Sequence, residues 1–329
     1  MPASKKAFIV NIQRMSMDDG PGIRSTVFLK GCSLKCTWCH NPETISSKPH
    51  VQWQPEKCIG CLLCINACPE NAIQANQNQE ILIDSSCNHC GACVDICPGT
   101  ALEMMGHYQS VDELINTLIK DMTYYKTSGG GVTVSGGEPC LQSEIVVDLF
   151  RKLKKKGIHT ALDTCGFCNT KVFHRLLPES DLVLFDLKEI DPMLHEKFTG
   201  YSNEGILNNL KFIIQIIKDH HLKTSVWIRT PIIPDATDRS ENIMGIGQFI
   251  STFPHNIVKR WDLCAFNPLC NDKYERLKLK WPFKQYSLYD KQQMINFAET
   301  AKQACIYKDI VHWSGFTQIL SQEVETTNE

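Results

Sequence analysis

The chain of 329 residues contains 34 lysines and arginines, 36 aspartates and glutamates, and 17 cysteines. The net charge of −2 excludes the basic surface of a typical nucleic-acid-binding domain, and the 43% hydrophobic content is enough for a packed core. No apolar stretch has the length of a membrane-spanning helix or a signal-peptide core. We therefore expect a cytoplasmic protein with no membrane or nucleic-acid partner. Its thiols should be reduced, so clustered cysteines should bind metal or perform redox chemistry.

The chain begins with two predicted strands, at 7–12 and 25–31, which are separated by a polar, glycine-rich segment. Eleven of the cysteines lie in the segment that follows, up to Cys97. Within residues 50–105 a cysteine-rich run recurs after 29 residues, from Cys58 to Cys87. A repeat this short predicts a small module that folds around bound metal.

Helices and strands alternate from residue 110 onwards, which predicts βαβ units and a parallel sheet. The predicted strands cover 131–137, 159–166, 181–188, 222–234 and 260–269, and the predicted helices cover 111–128, 143–157, 170–177, 204–221, 240–253 and 290–304. With the strand at 25–31 there are six strand–helix units. We therefore expect an α/β fold, a partial (β/α)6 barrel of the TIM type, whose functional residues follow the carboxyl ends of strands.

The metal-binding module interrupts this barrel. The expected domains are 1–49 with the start of the barrel, 50–105 with the insert, and 106–329 with the rest of the barrel.

Three cysteines follow the second predicted strand with the spacing C-x3-C-x2-C: Cys32, Cys36 and Cys39. Three thiolates on one loop can hold three irons of a [4Fe–4S] cluster and leave the fourth iron open, as a catalytic metal site requires. The alternative is a zinc knuckle completed by His40. A histidine directly after a cysteine is poorly spaced for tetrahedral closure, which favours the cluster.

This loop resembles the cysteine motif of the radical S-adenosylmethionine superfamily, with Trp38 at its aromatic position. The turn Gly136-Gly137-Glu138-Pro139 resembles the GGEP motif of the same superfamily. The resemblance implies that the methionine part of S-adenosylmethionine chelates the open iron. It also implies that Trp38 lies against the adenine, and that the GGEP turn binds the amino group. The alternative for these glycines is a tight βα turn.

Four further segments resemble the activating enzymes of glycyl radical enzymes: DGPGIR at 19–24, WCHNPE at 38–43, LDTCGF at 162–167 and FDLK at 185–188. This resemblance implies that Asp163 and Lys188 contact the ribose and the carboxylate of the cofactor. It also implies that Asp163 and Asp186 can hold a monovalent cation.

The same resemblance implies a partner-binding role for three residues, Asp19, Arg24 and Arg229. One position departs from the family pattern, because Asn267 stands where many members carry histidine. An asparagine can hydrogen-bond a ribose hydroxyl, but it cannot be a cation or a proton shuttle.

The two runs of the insert have the spacing C-x2-C-x2-C-x3-C-P, which is that of bacterial two-cluster ferredoxins. In those proteins the fourth cysteine of each run ligates the other cluster. One [4Fe–4S] cluster is therefore expected on Cys58, Cys61, Cys64 and Cys97, and the other on Cys87, Cys90, Cys93 and Cys68. A zinc ribbon is the alternative for one run alone.

The motifs together predict an oxidoreductase that activates a partner glycyl radical enzyme. It would use three [4Fe–4S] clusters, S-adenosylmethionine and a flavodoxin- or ferredoxin-type electron donor. One alternative is a radical S-adenosylmethionine enzyme that acts on a small molecule, and another is an iron–sulfur electron-transfer protein. The identity of the partner stays open, as does the role of six cysteines: Cys140, Cys165, Cys168, Cys264, Cys270 and Cys305.

Overall fold

The structure is a computed structural model and describes residues 6–318. Its strands are β1 (Lys6–Ser16), β2 (Arg24–Leu29), β3 (His50–Trp53), β4 (Ile73–Ala75), β5 (Ile81–Ile83), β6 (Leu102–Met105), β7 (His107–Ser110), β8 (Gly131–Gly136), β9 (His159–Thr164), β10 (Leu182–Asp186), β11 (Ser225–Ile232), β12 (Val258–Ala265) and β13 (Val311–Ser314). Its helices are α1 (Leu63–Asn66), α2 (Ala92–Asp95), α3 (Val111–Leu118), α4 (Met122–Ser128), α5 (Ser143–Lys155), α6 (Phe173–Leu176), α7 (Pro192–Thr199), α8 (Glu204–Asp219), α9 (Ser240–Ile250), α10 (Asn271–Arg276) and α11 (Lys291–Ala304). No helix in this part of the chain has the length and hydropathy needed to cross a membrane.

A nine-stranded sheet forms the main body, in the order β13-β12-β11-β10-β9-β8-β2-β1-β7. The seven strands from β13 to β2 are parallel to one another, whereas β1 is antiparallel to both of its neighbours, β2 and β7. The edge strands β7 and β13 do not pair with each other, so the sheet is an open barrel. The predicted α/β class and its six parallel strands are confirmed.

Outside residues 50–105, the structure adds four elements that the sequence pattern does not predict: β7, β13, α7 and α10. Three of these have only four to six residues, too short to show a period. The helix predicted over 111–128 is interrupted at Ile119–Asp121. There the buried Asp121 pairs with Arg14 and accepts a hydrogen bond from the Ser25 hydroxyl at 2.8 Å.

Helix starts and apolar faces agree with the sequence pattern. Ser110 and Asp290 begin α3 and α11 with capping boxes, in which side chain and backbone satisfy each other's hydrogen bonds. The long helix α8 buries an apolar stripe that includes Leu210, Ile213 and Ile217 against the sheet. The helices thus cover the outer face of the sheet and leave the inner face to form the site.

Side chains on the inner face follow the period of two that strands impose. A small apolar cluster fills part of this face, formed by Ala161, Leu182, Leu184 and Trp227. Two positions further along the respective strands stand Asp163, Asp186 and Arg229. The period therefore places three charged side chains on the inner face, towards the carboxyl ends of their strands.

The segment from β3 to β6 has its own small hydrophobic cluster. Its ladders pair β3 with β6 and β4 with β5. The cluster contains Ile73, Ile81 and Leu102 together with Cys64 and Cys93. With so few apolar side chains, this segment has only a small core of its own.

A close contact at the amino end of β8 yields a test of the fold. A Cβ atom on Gly130 would lie 1.8 Å from the carbonyl oxygen of Ile23, whereas a Cβ on Gly205 would have no neighbour within 4 Å. We expect Gly130→Ala to lower the free energy of unfolding by about 1–3 kcal/mol, because backbone must move to admit the methyl group. The matched control Gly205→Ala should leave it unchanged or raise it by up to about 1 kcal/mol. Denaturant unfolding followed by circular dichroism would measure both, and equal stabilities would contradict the close contact.

Candidate active site

The cysteine loop follows β2 and is held by backbone hydrogen bonds from two sides. The amide of Cys32 donates to Ile45 O at 3.0 Å. The amides of Lys35 and Thr37 donate to the end of α7, at Thr199 O (2.8 Å) and Phe198 O (3.0 Å). The loop conformation is therefore set by the chain itself.

Burial raises the pKa of each thiol in this loop, to about 12 for Cys32. The Cys36 thiol also raises the pKa of Cys32 and Cys39, and the Lys188 ammonium opposes the rise at Cys32 and Cys36. Ligation must therefore displace protons from these thiols. Within residues 6–318 no three histidine, cysteine or carboxylate side chains converge on the position of a single metal ion. The donor set of three thiols beside a cation is nevertheless of the kind that an iron–sulfur cluster takes.

The glycine pair after β8 lies against the backbone that leads into the cysteine loop. A Cβ on Gly136, whose φ is +104°, would lie 2.4 Å from the amide nitrogen of Leu29. A Cβ on Gly137 would lie 2.1 Å from Gly31 O. The sequence pattern suggests a close approach of backbone to a ligand. In this structure the backbone of the glycine turn instead packs against the backbone at Leu29 and Gly31, which leads into the cysteine loop.

Glu138 is buried, and its carboxylate accepts hydrogen bonds from four donors. These are Cys140 N (2.9 Å), Thr164 Oγ1 (2.7 Å), Cys165 N (2.9 Å) and Cys165 Sγ (3.0 Å). A carboxylate has about four acceptor positions, so the donors of the chain fill it. Glu138 thus fastens the turn after β8 to the end of β9.

A network of four charged groups lies next to this turn. Arg229 donates to Asp163 and to Asp186, the latter from Nε at 3.0 Å and from Nη2 at 2.9 Å. Lys188 Nζ donates to the other oxygen of Asp186 at 2.6 Å, and Ser135 Oγ donates to Asp163 at 2.6 Å. Two cations balance two carboxylates, so the network is electrically neutral although it is largely buried.

The two carboxylates differ in acidity because their neighbours differ. Burial raises the pKa of Asp163 to about 6, with Arg229 opposing the shift and Asp186 adding to it. Burial also acts on Asp186, but Arg229 and Lys188 together outweigh it and bring its pKa to about 2. Asp186 is therefore the more acidic of the two carboxylates, which lie at the carboxyl ends of β9 and β10.

Arg229, for which the resemblance implies partner binding, lies inside this network rather than on an outer surface. The thiol of Cys264, on the neighbouring strand β12, is also near it, and burial raises the pKa of that thiol to about 12. Asp186 and Arg229 are register partners of β10 and β11. The period of two predicts the face of Arg229, but only the register shows which carboxylates it meets.

The structure does not bring Asp19 and Arg24 to the cysteine loop. Arg24 begins β2 and Cys32 follows its end, so about 17 Å of strand separates them at 3.3 Å per residue. Arg24 is fully buried, and it donates to Thr133 Oγ1 at 2.7 Å and to Val132 O at 2.8 Å. Burial lowers the pKa of its guanidinium to about 10.

The carboxylate of Asp19 is likewise engaged in hydrogen bonds within the chain. It accepts hydrogen bonds from Ser16 Oγ and Thr26 Oγ1, both at 2.6 Å. The DGPGIR segment therefore fastens the amino end of the barrel, where residues of this fold serve stability.

Trp38 and Asn267 both lie beside the cysteine loop. The Trp38 ring is 5% exposed and packs against Phe198 and Phe283, with ring centroids 5.7 and 6.4 Å apart. The backbone of Asn267, which follows β12, is hydrogen-bonded by the ring of His40. Burial lowers the pKa of His40, and the nearby ammonium group of Lys273 adds to the shift.

Lys273 is a residue that the sequence analysis misses. From α10 its ammonium group donates to His40 O (3.0 Å), Asn41 Oδ1 (2.9 Å) and Glu43 Oε1 (2.8 Å). It therefore holds the WCHNPE segment from a position 230 residues further along the chain. No local pattern marks such a contact.

The contacts of Lys273 with the WCHNPE segment yield a second test. We expect Lys273→Met to destabilise the protein by about 1–3 kcal/mol, because it leaves the buried Glu43 carboxylate without its cation. It should also lower the iron content of the reconstituted protein. The control is Lys284→Met, which removes an exposed ion pair to Glu275 and should change stability by no more than about 0.5 kcal/mol. Thermal unfolding and iron analysis after reconstitution would measure both, and equal behaviour of the two variants would contradict the role of Lys273.

Comparisons with known proteins agree with this geometry. A family model described as a 4Fe-4S single cluster domain matches residues 18–207. The (2S)-3-sulfopropanediol dehydratase activating enzyme of Klebsiella oxytoca is 39% identical, over 86% of this chain and 89% of its own. The trans-4-hydroxy-L-proline dehydratase activating enzyme of Clostridioides difficile is 38% identical, over 83% and 88%. A radical SAM methyltransferase from Sphaerobacter thermophilus shares the fold, with a TM-score of 0.52 over 96% of this chain and 79% of its own, at 12% identity.

The chain is a radical S-adenosylmethionine enzyme, and its open barrel of parallel strands carries three thiols and a charged network at the carboxyl edge. The chain belongs to the activating enzymes of glycyl radical enzymes within that class, since two of them match it over more than four fifths of its length. It is an oxidoreductase whose partner is a glycyl radical enzyme. When bound, a [4Fe–4S] cluster and S-adenosylmethionine supply the reductive cleavage whose 5′-deoxyadenosyl radical takes a Cα hydrogen from a glycine of the partner.

Proposed function

We propose that Cys32, Cys36 and Cys39 hold the S-adenosylmethionine-binding cluster, and that the groups around it position the cofactor. The observation that supports this most is the meeting of the cysteine loop, the 136–138 turn and the charged network at one edge of the barrel. Cys36 and Lys188 are near enough that the ammonium group lowers the pKa of the thiol. An ammonium group beside the cluster thiols is suited to bind the carboxylate of the cofactor.

Four further residues are proposed to contact the cofactor. Asp163 is proposed to accept from the ribose, because its carboxylate belongs to the charged network at the carboxyl end of β9. Trp38 is proposed to contact the adenine from among Phe198 and Phe283, and Asn267 the ribose. Since the chain fills the acceptor positions of Glu138, we propose that this carboxylate binds the amino group only when one of its own donors moves away.

Binding of a monovalent cation between Asp163 and Asp186 would likewise require a residue of the chain to move away. Arg229 and Lys188 already supply two positive charges to these carboxylates. We propose that a cation binds there only when Arg229 moves out of the network. Such a movement would also bring Arg229 towards the mouth of the barrel, where it could contact the partner. Asp19 and Arg24 are proposed to act on partner binding indirectly, by holding the 18–23 loop.

We propose that residues 50–105 form an inserted ferredoxin-like domain between 1–49 and 106–329, which carries two further [4Fe–4S] clusters. A cavity in this segment is lined by Cys58, Cys61, Cys64 and Cys97, together with apolar side chains. Three of these thiols come from the first run and one from the second. That combination supports the interleaved ligand sets of a two-cluster ferredoxin.

The domain is proposed to pass electrons from a flavodoxin- or ferredoxin-type donor to the barrel. The partner enzyme stays open within its class, because relatives at 34–39% identity serve chemically different partners, among them dehydratases, sulfite lyases and a decarboxylase.

Removing one of the three thiols of the cysteine loop tests the proposed function. Reconstituted protein incubated with S-adenosylmethionine and dithionite should release 5′-deoxyadenosine, and it should produce a glycyl radical signal by electron paramagnetic resonance on a co-encoded glycyl radical enzyme. Cys36→Ser should abolish both, because a cluster with two thiolates cannot be held in place. The buried thiol of Cys305 lies outside the site, so Cys305→Ser should retain both. Deoxyadenosine without a glycyl radical on any partner would contradict the activating role.

Iron content tests the number of clusters. The full protein should bind about twelve irons, and a variant with both Cys58→Ser and Cys61→Ser should bind about eight, because one cluster loses two of its four thiolate ligands. Cys270→Ser, which changes a buried thiol outside all three sets, is the control and should keep about twelve. An unchanged iron content in the double variant would rule out the cluster assigned to these thiols.

A further inference from the structure

The side chain of Trp53, on strand β3, places a hydrogen-bond donor in the interior of the insert. Its indole Nε1 is buried, and no acceptor lies within hydrogen-bond distance of it among the residues that the structure describes. An indole nitrogen only donates, and a buried donor without an acceptor is costly. In a native protein such a group marks the place of a bound molecule or ion that supplies the acceptor.

The surroundings of this donor are thiols. Trp53 lines the cavity that is also lined by Cys58, Cys61, Cys64 and Cys97. The other side chains of the cavity are aliphatic, so a water molecule would find few polar partners there. Sulfur is therefore the acceptor that this cavity offers. A free thiol accepts only weakly, whereas the sulfur atoms of an iron–sulfur cluster accept hydrogen bonds that influence its reduction potential.

The strand period shows that Trp53 faces the cysteines and that its neighbour does not. Val51 and Trp53, two positions apart, both pack against the hydrophobic cluster that contains Cys64 and Cys93. Gln52 lies between them, so its side chain points to the opposite face of β3. Its Nε2 is likewise buried, and residues 6–318 supply no acceptor for it. Each face of β3 thus carries one unpartnered donor, and only that of Trp53 faces the thiols.

The chain already directs one N–H group at a sulfur of the same ligand set. The amide of Ala101 donates to Cys97 Sγ at 3.3 Å. The amide of Ala72 makes the same contact with Cys68 Sγ of the other set, also at 3.3 Å. These two amides are related by the 29-residue repeat, whereas Leu82 stands at the position equivalent to that of the indole. The indole donor is therefore specific to the first cysteine run.

We propose that Trp53 Nε1 donates a hydrogen bond to a sulfur atom of the cluster on Cys58, Cys61, Cys64 and Cys97, and that this bond raises the reduction potential of that cluster. The inference rests on the proposed function, in which the insert holds two clusters. Reduction adds one negative charge to a cluster, so a donor to its sulfur stabilises the reduced form more than the oxidised form. Trp53 makes the cluster easier to reduce without being one of its ligands.

The matched test variants are Trp53→Phe and Gln52→Leu, each of which removes one unpartnered N–H group from β3. Phenylalanine keeps an aromatic wall on the cavity, so a role in excluding water alone would survive the change. We expect Trp53→Phe to lower the equilibrium constant for one-electron reduction of this cluster by about three- to tenfold, which is a fall in potential of about 28–59 mV. Gln52→Leu should leave the potential unchanged. Redox titration followed by electron paramagnetic resonance would measure both.

Two further measurements assign the effect to one cluster. In protein that also carries Cys58→Ser and Cys61→Ser this cluster is lost, and Trp53→Phe should then leave the remaining potentials unchanged. Selective ¹⁵N labelling of tryptophan requires no substitution: the reduced cluster should show hyperfine coupling to an indole nitrogen, and Trp53→Phe should lack it. His89 Nδ1 lies 3.5 Å from Cys87 Sγ of the other set, but histidine is not labelled and cannot give this signal.

The outcomes separate this hydrogen bond from the function on which it rests. An unaltered protein that binds only about four irons would refute the two clusters of the insert. A full iron content, with equal potentials in Trp53→Phe and the unaltered protein, would overturn the hydrogen bond. Equal shifts in Trp53→Phe and Gln52→Leu would also overturn it, because they would reflect a general change in β3. Loss of iron from Trp53→Phe, with no indole coupling in the unaltered protein, would leave Trp53 a purely structural wall and equally overturn it.

Discussion

Arg229 holds a positive charge on the inner face of an open barrel, between the carboxylates of Asp163 and Asp186. A buried charge without partners is very costly, so the three strands that bear these groups must keep their register for the site to exist. The β9–β10 and β10–β11 ladders provide that register, and the apolar cluster on the same face excludes water from one side. Lys188 balances the second carboxylate, and it thereby stands near the cysteine loop as an ammonium group.

The cysteine loop depends on this edge of the sheet for its shape. Gly136 and Gly137 permit a contact between two backbones that no side chain would allow, and Glu138 fastens the same turn to β9. The end of α7 and the ammonium group of Lys273 hold the loop from the other side. Supports from four separate parts of the chain thus fix the direction of three thiols, and such preorganisation is what a catalytic metal site requires.

The inserted segment is organised on a different principle. Its hydrophobic cluster is small and includes several of its own cysteines, so apolar packing stabilises it less than it stabilises the barrel. Its two runs have the same spacing and the same short helices, yet the residues around them differ, with Trp53 before the first and Leu82 at the equivalent position before the second. A duplicated framework can therefore keep its metal-binding geometry while each copy acquires its own surroundings.

The amino-acid sequence by itself determined the six parallel strands and the cysteine loop that follows the first of them, because strands show a local period and the cysteine spacing is written in the chain. The family resemblance gave Arg24 a partner-binding role, and the tertiary structure puts that residue at the start of β2, fully buried. The contact of Lys273 with the cysteine loop and the pairing of β13 were also decided only by the tertiary structure. Both depend on which distant segments become neighbours, and packing of the whole sheet settles that where no local pattern does.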